Sequence, residues 1–182
     1  MAFKFTRHLF FLVILTTIYG CAQNHSELSS DTTQPISKDI TTYYFIRHAE
    51  KDRSNPNNSD PSLTEQGLKR AEKWANTLKN VDFDAIYSSD YTRTKQTAQP
   101  LANQNNLEIQ LYDAKNLNDE KFQKETTGKT VMVVGHSNTT PQFANALLGE
   151  EKYSEMDDSD NAGLYIVTII NGERSTQLLS ID

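Results

Sequence analysis

From Ile40 onward, short apolar runs suited to β-strands alternate with stretches whose apolar residues recur every 3.6 positions, and that alternation admits few folds. Strand-like segments are Ile40 to Arg47, Phe83 to Ser88, Ile109 to Leu111 and Lys129 to Gly135; the run VMVV in the last suits a strand buried on both faces. Between them the pattern predicts a helix capped by Thr64, with Leu68, Ala71, Ala75 and Leu78 on its packing face. A second runs from Tyr91 to about Asn103, with Thr94, Thr97, Ala98 and Leu101 on one side, and a weaker one from Asn118 to Thr126. Thr140 and Pro141 begin a fourth, which Gly149 can end. GLYIVTII and RSTQLLSI then flank Asn171-Gly172, a hairpin signal. The expected fold is α/β: a three-layer α/β/α sandwich whose central sheet is mostly parallel with an antiparallel edge.

The first twenty residues follow another rule. Lys4 and Arg7 precede an apolar run that ends in Gly20 directly before Cys21, the arrangement of a secretory signal. The run is short of the roughly 20 residues that span a bilayer. IYGC also resembles a bacterial lipobox, which implies cleavage before Cys21 and lipidation of that cysteine. The expected organisation is a signal peptide over residues 1–20, a lipidated cysteine and flexible tether over 21–39, and a folded domain over 40–182. The expected location is outside the cytosol, as a membrane-anchored lipoprotein of a bacterial cell envelope.

Cys21 is the only cysteine, so once lipidated it leaves the domain without a thiol for disulfides, nucleophilic catalysis or thiolate metal sites. His48 and His136 have no nearby His or carboxylate at ligand spacing, so neither a metal nor another cofactor is expected. Loss of Lys4 and Arg7 from 18 basic residues leaves 16 against 24 acidic ones, a formal charge of −8. Such a surface repels nucleic acid, and an anionic substrate needs a local basic pocket.

Candidates for that pocket lie at the strand ends. YFIRHAE puts Arg47 and His48 just past the first strand, YSSDYTRTKQTA puts Arg93 one turn into the helix after the second, and VVGHSNTT puts His136 after the fourth. In a parallel sheet these ends share one edge. A neutral imidazole is a competent nucleophile toward phosphorus when its other nitrogen is held and the transferring group's charge is met by guanidinium forks.

RHAE, the LT-x-x-G of Leu63 to Gly67, SSDYTRTKQTA and GHS together resemble the histidine phosphatase superfamily, the phosphoglycerate mutase-like fold, over about residues 42 to 170. The resemblance implies that His48 becomes phosphorylated while Arg47, Arg93 and His136 form its phosphate pocket. A metal-independent phosphomonoester hydrolase is expected, a monomer acting on a small phosphorylated molecule or a phosphoprotein, with Lys51 and Arg53 in the rim loop as further substrate contacts. Small phosphatases of the family share Ala49 in place of the glycine that many members have. The family's proton donors are not evident: Glu108, Glu120 and Glu125 lie in no convincing motif, and Ser137 stands where the phytase branch has aspartate. Asp52, Asp90, Asp157, Asp158 and Asp160 stay open for that role. The alternatives are a lipid-anchored anion-binding module without turnover, and a phosphomutase.

Overall fold

A computed structural model describes residues 40–181. The expected signal, Cys21 and tether lie outside the described residues. In chain order the elements are β1 (Ile40–Arg47), α1 (Glu65–Thr77), β2 (Ala85–Ser88), α2 (Thr92–Asn105), β3 (Ile109–Leu111), α3 (Glu120–Thr126), β4 (Thr130–Gly135), α4 (Thr139–Leu148), β5 (Gly163–Ile170) and β6 (Glu173–Ser180).

The six strands form one sheet in the order β3-β2-β4-β1-β5-β6. β1 to β4 run parallel, and β5 pairs antiparallel with both β1 and β6, which makes the expected antiparallel edge. Alternation along the central strands decides the two cores. Tyr43, Phe45, Val131 and Val133 face α3 and α4 and pack on Phe122, Phe143 and Leu147; Ile46, Met132 and Val134 face α1 and α2 and pack on Trp74, Leu78 and Leu101. The result is the three-layer sandwich.

Three local details depart from the sequence pattern or explain it. Leu68 is 47% exposed, and Gly67, Ala71, Trp74 and Ala75 form the buried face of α1 instead. The reason is Gly67: an added Cβ would overlap the Glu50 carbonyl oxygen, so the helix backbone itself lies against the segment after β1 and Leu68 turns outward. α2 continues through Pro100, because burial of Ala98, Leu101 and Ala102 outweighs the one lost backbone hydrogen bond. Asn171 and Gly172 both take positive φ, 53° and 87°, as a tight hairpin matched to strand twist requires.

Register aligns the site. Arg47 pairs with Gly135 and Ser88 with Val134, so β1, β4 and β2 end together. Leu164 pairs with Ile46, so the loop entering β5 crosses the same edge.

Candidate active site

His48 leaves β1 with its backbone N–H bonded to Gly135 O at 2.9 Å and its carbonyl accepting from Asn161 Nδ2 at 2.8 Å. The residue is 3% exposed, and its Nδ1 lies 2.7 Å from Ala49 O. A carbonyl only accepts, so Nδ1 carries the proton of the neutral ring and Nε2 keeps its lone pair. Burial, helped by the Arg47, Arg93 and His136 charges, lowers its pKa to about 3 even though the Ala49 bond acts the other way. The imidazole is therefore neutral near pH 7.

The segment behind His48 is braced. Ala49 is fully buried and its N–H donates to Thr97 Oγ1 at 3.0 Å, which ties it to α2. Thr64 N–H donates to Glu50 O at 2.8 Å while Thr64 Oγ1 accepts from Gly67 N at 3.1 Å, so the LT-x-x-G motif both caps α1 and clamps it to the chain beyond the histidine.

His136 follows β4 with its ring edge-on to His48, centroids 5.5 Å apart. Its Nδ1 lies 3.4 Å from Arg93 Nη2, and guanidinium only donates; Nε2 therefore holds the proton and donates it to Ser89 Oγ at 2.9 Å. Burial first, then the Arg93, Arg47 and Lys51 charges, lowers its pKa to about 4. In this geometry both ring nitrogens are engaged, and the ring orients Arg93. Arg93 also stacks over Tyr91, 4.3 Å from its centroid, and its Nη1 lies 3.6 Å from Asp60 Oδ1.

Arg47 is 1% exposed. Its Nη1 donates to Asp157 O and Asp160 O at 3.0 and 3.1 Å, and its Nη2 is paired with the Asp158 carboxylate. Arg47 Nε and Arg93 Nε and Nη1 are buried and have no hydrogen-bond partner among the described residues. Burying cationic donors unsatisfied is costly, and an anion in contact with both guanidiniums removes that cost.

Arg47, His48, Lys51, Arg93 and His136 thus line one cleft of about 390 Å³, together with Tyr91, Lys115, Ser137 and Asp158. Arg53 borders a neighbouring hollow and is tied to Asp158 Oδ2 at 2.6 Å. Of the acidic residues considered as proton donors, only Asp158 lines the cleft. Asp90 is paired with Lys95, and Asp52 bonds the backbone of Ser54. Ser89, Asp60 and Asn161 were not singled out by the sequence. Asp60 caps α2 from the long rim loop, accepting from Thr92 N and Oγ1 at 2.8 Å, a contact that no local spacing signals.

Residues 43–122 match the model of the histidine phosphatase superfamily (branch 1). A probable phosphatase of Schizosaccharomyces pombe is 30% identical over 93 residues, 48% of this chain and 32% of that protein. Phosphoserine phosphatase 1 of Hydrogenobacter thermophilus is 41% identical over 70 residues, 36% of this chain and 33% of that one. The matched parts span about a third of these curated relatives. Among solved structures, phosphoglycerate mutase from Bacillus anthracis aligns with TM-score 0.63 and 15% identity over 79% of this chain and 94% of its own. The protein histidine phosphatase SixA complexed with tungstate aligns with TM-score 0.62 and 19% identity, over 76% and 96%. The fold is therefore phosphoglycerate mutase-like, and the sequence from 43 to 122, which carries Arg47, His48 and Arg93, matches the histidine phosphatase superfamily.

Proposed function

We propose that this chain is a metal-independent phosphomonoester hydrolase that works through a phosphohistidine at His48. The observation that carries the reading is the set of buried guanidinium nitrogens on Arg47 and Arg93 that make no hydrogen bond among the described residues, in one cleft with an imidazole whose protonated Nδ1 leaves the Nε2 lone pair for the reaction. A phosphoryl group satisfies those donors, and their charge offsets what develops on its equatorial oxygens in the transition state. His48 Nε2 attacks phosphorus, the bond to the leaving oxygen breaks, and that oxygen takes a proton from solvent. Water then attacks the phosphohistidine, the P–N bond breaks, and inorganic phosphate leaves. A bound dianion favours a second proton on His136, whose Nδ1 then becomes a donor to it. Phosphatases among the similar proteins support the reaction class. Small phosphorylated molecules and phosphoproteins are the proposed substrates, and a Cys21-lipidated, exported form is the proposed state in the cell.

The test is steady-state turnover of an aryl phosphate by the full chain with a chelator present, beside His48→Ala. Turnover that resists chelation and falls at least about a thousandfold in the variant, with folding retained, is expected. An unchanged rate in the variant overturns the mechanism.

A further inference from the structure

The cleft's cationic end and the hollow beside it differ in charge. Around the histidines, Arg47, Lys51, Arg93 and Lys115 face one carboxylate, Asp158. The adjoining hollow, of about 600 Å³, is balanced: Lys51, Arg53 and Arg70 share it with Glu50, Asp157 and Asp158. Most of those charges are already paired. Arg70 Nε binds Glu50 Oε1 at 2.8 Å, and Asp158 holds Arg53 through one oxygen and Arg47 Nη2 through the other. Among the described residues Asp158 and Lys51 are the two that line both spaces, so a leaving group extending from the cleft into the hollow passes that carboxylate as well as the Lys51 ammonium.

Resting on the phosphate-site reading above, we propose that Asp158 is a charge filter for the leaving group: it admits phosphate esters whose remainder is neutral or cationic and disfavours those bearing a second anion. Arg53, which would otherwise attract such an anion, is spent on Asp158. A carboxylate on the substrate has to displace Asp158 from two guanidiniums or lie beside it. Burial pushes the Asp158 carboxyl up, yet the hydrogen bond from Arg53 and the Arg47 and Arg53 charges hold it below the usual range, so the filter is ionised at neutral pH. Glu50 Oε2, buried at the hollow's wall and without a hydrogen-bond partner among the described residues, adds a second acceptor suited to a cation. Asp158 is 60% exposed, so solvent screens its repulsion, which is worth about tenfold for a like charge a few Å away.

Binding of three probes of similar length separates the possibilities: ethanolamine phosphate, propyl phosphate and glycolate phosphate, measured by calorimetry on the full chain carrying His48→Ala so that turnover plays no part. Expected is glycolate phosphate binding about tenfold more weakly than propyl phosphate, and ethanolamine phosphate at least as tightly. Adding Asp158→Asn should shrink the glycolate-to-propyl ratio to about twofold, whereas adding Arg53→Gln should widen it, because the carboxylate loses a counter-charge. A loop held merely for structure would weaken all three probes together. Equal affinity for the glycolate and propyl esters, or a ratio unmoved by Asp158→Asn, overturns the filter. Absence of turnover in the wild-type chain instead overturns the hydrolase reading and leaves these binding ratios intact.

Discussion

Two histidines deprived of most of their basicity sit beside two buried arginines, and that has a thermodynamic consequence. The unfolded chain binds protons at both imidazoles near pH 6.5, while in the fold burial and neighbouring charge move His48 to about 3 and His136 to about 4. The folded pKa values are depressed, so this contribution to stability is complete above pH 6.5 and is lost as pH falls toward 4 and then 3. Urea unfolding between pH 7 and 4.5 should therefore show stability falling by up to about 1.4 kcal/mol per pH unit for each histidine. His136→Asn should remove about half of that slope. A flat profile would mean that the rings accept protons in the fold. At this scale the sequence singled out Arg47, His48, Arg93 and His136 by their positions after strands, and the structure brings all four into one cleft. Asp60 escaped notice because its partner Thr92 is far along the chain and the loop between them has no period to read.

The decisive contact between elements is α1 against the segment after β1. Thr64 and Gly67 both meet Glu50 O, two residues beyond His48, and the isolated bridge between Lys51 and Leu63 closes the loop between them. Gly67→Ala has no room for its Cβ, so the helix and the histidine-bearing strand end must separate. A loss of about 2 kcal/mol in chemical denaturation is expected, with activity falling more than fold stability alone explains. Wild-type stability in that variant would show that the two elements are not in register through Gly67. Helix periodicity located α1 but chose Leu68 for its buried face, because periodicity averages over side chains and does not register a backbone approaching a backbone. The strands were easier: VMVV has no polar alternation, and β4 is accordingly central, between β2 and β1.

For the whole molecule, the acidic balance of the chain and a cationic cleft are compatible because the positive groups are gathered at one sheet edge. The proposed lipid anchor at Cys21 is tested by growing a bacterial host on a labelled fatty acid: the wild-type chain should take up label and Cys21→Ser should not, with aryl phosphate turnover kept. Label retained by that variant, or absent from the wild-type chain, would refute the anchor. The sequence by itself determined the layer architecture and the antiparallel edge, because strand pleat and helix period are local properties of the chain, and it placed Arg47, His48, Arg93 and His136 just past strands that end on one edge. Only the tertiary structure decided the tautomers of the two histidines, the Asp60 brace and the Asp158 carboxylate joining Arg47 to Arg53. The last of these depends on sheet register, which carries the loop before β5 over the end of β1, 111 residues away between Arg47 and Asp158.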